Sequence, residues 1–369
     1  MPLRPARPVS SVPVTRRGLI IGAVAAGATA VLSACTGESV SGTLAAADGG
    51  ARGAASPAST AASSASPSPS WTLSPSPSPT ASPAAAAAPT AGPVLASIWA
   101  HPDDDLIFGF AAVEPATAAG HEVRTIYVTA GDAGLGTGYA SDRELGVMTA
   151  YDEMRRRKTK WSRKSVVLPS GAHVSVCRPA DDPRIVLHFL GLPDGNLNAA
   201  GFPSTGHVSL SKLESGRAPS MAAVTGHYKT TWKALQQAIG ELLTMTGATC
   251  LVTHVPGSSA LSRGDHPDHG VVGALARSAW LSSGRPADAM TFALGYPAGR
   301  RAQNVKGREL KHKFDVFARY AAHDAMIHAC VTPKGCMTTR DFSRWISRTY
   351  SYTEAELFPR PPATRPSAW

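Results

Sequence analysis

The stretch Val94-Leu-Ala-Ser-Ile-Trp-Ala-His-Pro-Asp-Asp-Asp105 decides the fold. Residues 94–100 form a continuous apolar run, which is typical of a strand buried on both faces of a parallel sheet. The run ends at His101 and three consecutive aspartates. Because open α/β sheets bind their ligands beyond the carboxyl ends of the strands, these polar residues indicate a functional site directly after the first strand.

Strands and helices alternate downstream of this stretch. The pattern predicts further strands over 122–129, 185–190, 249–253 and 290–294, and helices over 106–119, 142–157, 232–245, 268–283 and 306–325. This alternation predicts right-handed crossovers and a single Rossmann-like α/β domain, with a mostly parallel sheet flanked by helices. No Gly-x-Gly-x-x-Gly follows the first strand, so a dinucleotide site is not expected. Residues 158–184 and 202–228 are harder to interpret and are expected to hold β-hairpins and long loops.

Upstream of the first strand, the composition excludes a second domain. The 369 residues include 30 prolines, and the region from 57 to 93 is almost entirely Ala, Ser, Pro and Thr. Such a sequence buries too little apolar surface to offset the entropy of the chain. We therefore predict an export signal over 1–34, a disordered linker over 35–93 and one domain over 94–369.

The first 35 residues resemble a bacterial lipoprotein signal. Arg16 and Arg17 precede an apolar run of 15 residues over 18–32, which is short for a membrane-spanning helix. The arginine pair resembles a twin-arginine export signal. Leu32-Ser-Ala-Cys35 resembles a lipobox, in which Cys35 is acylated and anchors the exported protein to the cell membrane. The alternative is an ordinary signal peptide with an incidental cysteine.

The formal net charge of +10 is spread unevenly. The first 93 residues contribute five arginines against Glu38 and Asp48, which leaves about +7 on residues 94–369. This balance tolerates an anionic environment but does not predict a nucleic-acid partner. The excess has no assigned role at the level of the sequence.

Two histidine-rich motifs carry the chemistry. In the first, His101 and Asp104 supply a nitrogen and an oxygen at turn spacing, which suits Zn²⁺ or another divalent metal such as Fe²⁺. The second is Gly264-Asp-His-Pro-Asp-His269, after the predicted strand at 249–253. The simpler interpretation of the second motif is that Pro267 and Asp268 only begin a helix.

Taken together, the two motifs resemble those of the PIG-L/LmbE-like family of zinc-dependent N-acetylglucosamine deacetylases. The resemblance runs from about residue 94 to residue 324. It includes Thr129-Ala-Gly-Asp-Ala-Gly134, Leu192-Pro-Asp-Gly195 and Tyr320-Ala-Ala-His-Asp324. It implies a Rossmann-like fold, a zinc cofactor and an N-acetylated sugar or glycoconjugate as substrate.

The resemblance also implies a role for individual residues. His101, Asp104 and His269 match the zinc ligands, and a water would occupy the fourth position. Asp103 matches the general base. His266 matches the histidine that stabilises the oxyanion or protonates the leaving amine, and Asp268 is expected to orient it.

Substrate contacts are less sharply defined, because the chain departs from the family pattern. Arg143 matches an arginine near the substrate, and the alternative is a solvated helix arginine. Asp132 and Asp194 stand in glycine-flanked turns, where they could bind sugar hydroxyls or cap their own turn backbone. Asp105 stands where the family usually has glutamate and, although one methylene shorter, is a further candidate for a substrate contact. Gly264 stands where some members have a mobile tyrosine, and that role would have to come from elsewhere. The regions 158–184 and 202–228 are expected to determine specificity.

Several alternatives stay open at this level. His254 follows the strand at 249–253 and is a further candidate for the site. Cys330 and Cys336 bracket a turn and could pair, but four cysteines besides Cys35 allow three full pairings. For function, the alternatives are a metal-dependent hydrolase of another amide or ester glycoconjugate, or a non-catalytic lipoprotein that binds envelope glycans.

Overall fold

The computed structural model of the protein describes residues 92–339 and 341–359. The predicted export signal, the twin arginines and Cys35 lie outside the described residues. Within the part of the chain that is described, no helix is long and apolar enough to cross a membrane.

An eight-stranded sheet forms the centre of the domain. The strands are β1 (Val94–Trp99), β2 (Glu122–Thr129), β3 (Trp161–Val167), β4 (His173–Pro179), β5 (Ile185–Leu192), β8 (Cys250–His254), β9 (Met290–Ala293) and β10 (Ser351–Thr353), with β6 (Met221–Ala222) and β7 (Lys229–Thr230) as a separate pair. The helices are α1 (Asp104–Ile107), α2 (Phe110–Ala118), α3 (Thr137–Met154), α4 (Leu210–Glu214), α5 (Trp232–Thr246), α6 (Pro267–Ser282), α7 (Gly307–Ala321), α8 (Pro333–Thr338), α9 (Phe342–Ile346) and α10 (Glu354–Leu357).

The strand order is β10-β9-β8-β1-β2-β5-β4-β3. The five central strands β9, β8, β1, β2 and β5 run parallel, whereas β10, β4 and β3 add antiparallel edges. The predicted fold class is confirmed, because a mostly parallel sheet is flanked by helices within one domain. The predicted hairpin content of residues 158–184 is also confirmed by the β3–β4 pair.

Two hydrophobic clusters cover the two faces of the sheet. Successive side chains of a strand point to opposite faces, so Ala96 and Ile98 of β1 join one cluster, while Leu95 and Trp99 join the other. Helices α5 and α6 contribute to the first cluster, and α2, α3 and α7 to the second. Since β1 is buried on both faces, the residues that follow it are held on a rigid element at the centre of the sheet.

The helix predicted over 106–119 is interrupted in the structure. It divides into α1 and α2 at Gly109, where an added Cβ would lie 2.3 Å from the indole of Trp99. The close approach of the chain to Trp99 requires glycine at this position. The elements after residue 325, including α8 and α9, were not predicted from the sequence.

Candidate active site

A cavity of about 820 Å³ lies beyond the carboxyl ends of the parallel strands. Its lining comes from loops that follow the strands. The first motif follows β1, the turn near residue 133 follows β2, the turn at 194–197 follows β5, and the second motif lies between β8 and α6. A volume of this size suits a small-molecule or sugar ligand. Residues far apart in the chain meet here because neighbouring parallel strands end at the same edge of the sheet.

The first motif forms a tight turn between β1 and α1. The Asp104 carboxylate accepts a hydrogen bond from the backbone N–H of His101 at 2.7 Å, and its Oδ2 lies 3.3 Å from His101 Nδ1. Asp103 has φ 153° and ψ −17°, a conformation that L-residues rarely adopt. Backbone strain of this kind is concentrated at functional sites.

The second motif leads into helix α6, with Pro267 at its first turn. His269 Nδ1 lies 2.8 Å from Asp265 Oδ1, a contact that fixes the ring and directs Nε2 toward Asp104, whose Oδ1 is 3.1 Å away. A histidine whose other nitrogen is held by a carboxylate is the usual arrangement for a metal ligand. The sequence analysis did not identify Asp265. Its position four residues before His269, next to the predicted start of a helix, is the signal that could have indicated it.

The donor atoms of this cluster fit a divalent metal. Nε2 of His101 and Nε2 of His269 are buried and have no hydrogen-bond partner among the described residues. Buried polar atoms without partners are costly and rare, and imidazole nitrogens with a carboxylate oxygen are the donor set that Zn²⁺ or Fe²⁺ accepts. Side chains whose ligand atoms lie within 4.8 Å of one another form three overlapping sets: His101, His266 and His269; His101, Asp194, His266 and Asp268; and Asp104, His254 and His269.

The three ligands implied by the resemblance are thus brought together, but they span two of these sets. His269 belongs to both of these sets. Asp104 contacts both histidine ligands, His101 through Oδ2 and His269 through Oδ1. His254 is a further member of the cluster. Its Nε2 lies 3.0 Å from Asp104 Oδ2, and its ring stacks on that of His269 with centroids 4.0 Å apart. Burial lowers the pKa of His254 to about 4, which keeps the ring neutral.

Arg143 lies against Asp103, with Nη2 3.0 Å from Asp103 Oδ1. Its other donors reach the backbone carbonyls of Gly131 at 2.6 Å and Pro102 at 3.1 Å, and its Nε donates to the Tyr320 hydroxyl. Burial raises the pKa of Asp103 to about 7, and the Arg143 charge opposes that rise. Although Arg143 lines the cavity, most of its donors are therefore taken by the protein itself.

A second carboxylate supports Arg143 from behind. Asp324 Oδ2 lies 3.3 Å from Arg143 Nε and accepts a hydrogen bond from the Tyr320 hydroxyl at 2.7 Å. Asp324 Oδ1 accepts from the Tyr139 hydroxyl at 2.6 Å. The Tyr320–Asp324 motif therefore acts on the site through Arg143.

His266 is oriented differently from what the resemblance implies. Its Nδ1 accepts a hydrogen bond from the backbone N–H of Asp268 at 3.2 Å, and the Asp268 carboxylate is farther away, at 3.9 Å. That carboxylate instead accepts from the backbone N–H of Gly195 at 2.8 Å and lies 3.5 Å from His101 Nε2. Burial, together with the neighbouring His101, lowers the pKa of His266 to about 4. The neutral ring then presents Nε2–H, 3.8 Å from Asp194 Oδ1.

The remaining expected substrate contacts separate into two kinds. Asp194 lines the cavity, but Asp132 and Asp105 do not. Asp132 is fully buried and accepts hydrogen bonds from the backbone N–H groups of Asp194 at 2.9 Å and Gly134 at 3.1 Å, so it shapes the turn that presents Asp194. Asp105 is also fully buried, and it accepts a hydrogen bond from the Tyr151 hydroxyl at 2.9 Å. For Asp132 the structure shows the turn-capping alternative. For Asp105 the predicted substrate contact is corrected, since its carboxylate faces the protein interior.

The expected source of specificity is also corrected. None of the lining residues belongs to 158–184, and only Phe202 belongs to 202–228. The β3–β4 hairpin lies at the far edge of the sheet, four strands from β1, and is too distant to reach the cavity. Residues of the segment 324–345 line one wall of the cavity instead. Within this segment, a disulfide joins Cys330 to Cys336. The sequence had left this pairing open.

Tyr296 is a cavity residue that the sequence analysis missed. It follows β9, its ring centroid lies 5.1 Å from that of His269 and 6.0 Å from that of His266, and Trp345 stacks on it at 4.3 Å. Gly295 precedes it because an added Cβ would lie 2.4 Å from the Asp265 carboxylate. A single tyrosine has no motif, and only its place after a predicted strand could have indicated it.

The fold and the site together define an α/β protein with a buried His/Asp centre whose donor atoms fit a divalent metal. Residues 96–280 match the PIG-L family, described as GlcNAc-PI de-N-acetylase, and the chain belongs to this family. The match covers the sheet from β1 through β8 and both histidine motifs. It ends before Tyr296 and the wall formed by 324–345.

Solved structures with a related fold include several deacetylases. One is a deacetylase of the teicoplanin biosynthetic pathway, 16% identical, covering 68% of this chain and 88% of that chain with a TM-score of 0.39. Another is the N,N'-diacetylchitobiose deacetylase from Pyrococcus horikoshii, 14% identical, covering 62% of this chain and 70% of that chain with a TM-score of 0.34. These likenesses are too distant to carry an argument about substrate. The comparison with curated proteins gives no match.

Proposed function

We propose that the protein is a zinc-dependent hydrolase that removes N-acetyl groups from a glycan or glycoconjugate containing N-acetylglucosamine. The observation that carries the proposal is the Asp103 carboxylate, which stands at the cavity next to the His101, Asp104 and His269 cluster. Metal ligation needs no additional carboxylate held by an arginine. Hydrolysis needs a base that accepts the proton of the attacking water, and Asp103 stands where it can be that base.

The residues that would hold the metal are His101, Asp104 and His269, and His254 stands close enough to support Asp104. A divalent cation bound there lowers the pKa of a water molecule toward neutrality and polarises an amide carbonyl. The protein supplies a carboxylate that contacts both histidines, and two imidazole nitrogens that have no hydrogen-bond partner within the described part of the chain.

The remaining groups divide the proton transfers between them. Asp103 accepts a proton from water as the water oxygen attacks the acetyl carbonyl carbon. The Nε2–H of neutral His266 donates a hydrogen bond to the carbonyl oxygen as negative charge develops there. Asp103 then returns its proton to the amide nitrogen, the C–N bond breaks, and acetate and a free amine leave. Arg143 keeps the Asp103 carboxylate in one orientation throughout.

Several residues around the cavity support a sugar as the substrate. Asp194 and Asn196 offer polar groups for hydroxyls, and Phe202 and Tyr296 offer aromatic rings. Sites of this kind combine an apolar lining with a small number of placed polar groups. The segment 324–345 completes the lining of the cavity, whose volume of about 820 Å³ accommodates more than one sugar ring.

The test combines metal analysis with acetate release. Purified protein should contain close to one equivalent of a divalent metal and release acetate from N-acetylated sugars or oligosaccharides. Propionyl and benzoyl amides and acetyl esters of the same sugars serve as competitors. Preferential turnover of those compounds would favour the alternative hydrolase, and bound metal with no turnover on any of them would contradict an enzymatic role.

We further propose that the protein is exported through the twin-arginine pathway and anchored at Cys35. Residues 15–35 support this proposal. Folded export suits a metal that is inserted before translocation. Disabling twin-arginine export should retain the protein in the cytoplasm, whereas blocking only the general secretory route should not, and the reverse result would overturn the assignment.

A further inference from the structure

The excess positive charge of the domain is confined to one segment. Residues 155–180 contain eight lysines and arginines and no aspartate or glutamate: Arg155, Arg156, Arg157, Lys158, Lys160, Arg163, Lys164 and Arg178. Because residues 94–369 carry about +7 in all, the rest of the domain is close to neutral.

Three of these cations are paired with carboxylates. Arg155 Nη1 lies 3.0 Å and Arg157 Nε 3.3 Å from Asp181, and Arg163 bonds to Glu144. The other five side chains are exposed and form no ion pair among the described residues: Arg156, Lys158, Lys160, Lys164 and Arg178. We call these five the basic edge.

The topology places the basic edge on the side of the sheet away from the cavity. Helix α3 runs from the carboxyl ends of the strands back to their amino ends, so residues 155–160, between α3 and β3, lie at the amino ends. In the β3–β4 ladder, Ser162 pairs with Arg178 and Lys164 with Val176, which puts Lys164 and Arg178 on one face. The chain also enters β1 at Val94, at the amino ends of the parallel strands.

Protection of an edge strand explains only part of this charge. Lysines on an exposed edge strand discourage pairing with another sheet, and β3 is the last strand of its sheet. That accounts for Lys164. Arg156, Lys158 and Lys160 precede the strand and cannot block its edge. Like charges concentrated in one short part of the fold, without ion pairs among the described residues, repel one another, so an anionic partner would stabilise them.

We propose that the basic edge binds the anionic phospholipid headgroups of the membrane, with the cavity facing away from the lipid. The argument for lipid over another polyanion is the entry point of the chain. The segment carrying the predicted anchor at Cys35 joins β1 at the amino ends of the parallel strands, the side of the sheet on which residues 155–160 also lie. The inference rests on the proposed envelope location and not on the proposed activity. A cluster of basic residues beside an anionic leaflet strengthens attachment several-fold per residue.

The test uses the full chain with Cys35→Ser in every protein, so that acylation does not contribute. Co-sedimentation is measured with vesicles of phosphatidylcholine alone and with added phosphatidylglycerol, at low and high salt. We expect binding only to the anionic vesicles, weakened by salt, and lost by about 100-fold in K158Q/K160Q/K164Q. The double variant K158Q/K160Q, with both changes outside the sheet, should lose about 20-fold even if the triple variant is poorly folded.

The matched control is K229Q/K233Q/K306Q, which removes three exposed lysines from other elements and should bind like the parent protein. Acetate release from a soluble substrate should be the same in all variants, which separates this proposal from the proposed activity. Equal binding by the triple variant and the parent would overturn the proposal. So would binding to a soluble glycerol phosphate polymer without binding to anionic vesicles.

Discussion

Arg143 holds Asp103, with the guanidinium Nη2 3.0 Å from the carboxylate Oδ1. The same guanidinium is fixed by two backbone carbonyls and by Tyr320, which is itself bonded to Asp324. A planar group with donors in several directions suits this task, and lysine cannot replace it. The arrangement indicates that Arg143 positions the base, whereas the sequence had left a choice between a substrate contact and a solvated helix arginine.

Replacing Arg143 with methionine tests this positioning role. We expect R143M to lower kcat by about 100-fold with little change in KM, because a misplaced base slows the chemical step. R143K should recover only part of the loss. R319M, which removes an exposed arginine paired with Glu153, is the control and should be fully active. A raised KM with unchanged kcat would show that Arg143 binds substrate instead.

The strained backbone at Asp103 predicts an unusual order of stability. Glycine in place of alanine normally destabilises a protein, but φ is 153° here. We therefore expect D103G to unfold at a higher denaturant concentration than D103A, by about 1 kcal/mol in the free energy of unfolding. Both variants lack the carboxylate, so the comparison isolates the backbone. An equal or lower stability of D103G would rule out strain at this position.

Metal affinity should depend on Asp265 through His269. Removing the carboxylate that holds Nδ1 leaves the ring free to rotate and less basic, so D265A should bind zinc about 10- to 100-fold more weakly. Competition with a chelator of known affinity measures this change. D288N, which alters an exposed aspartate before β9, should leave the affinity unchanged. Normal zinc affinity in D265A would show that zinc binding does not depend on the contact between Asp265 and His269.

The buried Lys313 on α7 should make the free energy of unfolding depend on pH, independently of the active site. It is fully buried, and burial lowers its pKa from 10.5 to about 7. Between these values the unfolded chain binds a proton that the folded protein does not, so stability from this group rises with pH, by up to about 1.4 kcal/mol per unit. K313M should remove that slope between pH 7 and 10 in denaturant titrations. K311M, at an exposed position, should keep it.

The centre of the fold was predictable because its signals are local. The apolar run at 94–100 leads directly into the first histidine motif, and the second motif follows another recognisable strand. The parallel topology brings the two motifs together. Tyr296 and the wall at 324–345 were not predictable in this way. They reach the cavity through the stacking of Tyr296 on Trp345 and through a disulfide, and neither leaves a periodic signal in the sequence.

The sequence could not decide the substrate contacts, and the reason is physical. Asp105 and Asp132 occupy motif positions where a substrate contact was expected, but the direction in which each side chain points decides its role. Asp105 points into the interior toward Tyr151, and Asp132 bonds to the backbone of Asp194 and Gly134. Side-chain direction in a loop depends on the turn geometry, which composition and spacing do not define.

The most direct test of the proposed mechanism is acetate release by D103N, measured together with its metal content. Asparagine keeps the shape of the side chain and leaves His101, Asp104 and His269 in place, but it cannot accept a proton from water. We predict wild-type metal content and a loss of activity of at least about 100-fold on an N-acetylated glycan that the wild-type protein deacetylates. A D103N variant that retains both metal and full activity would contradict the central claim.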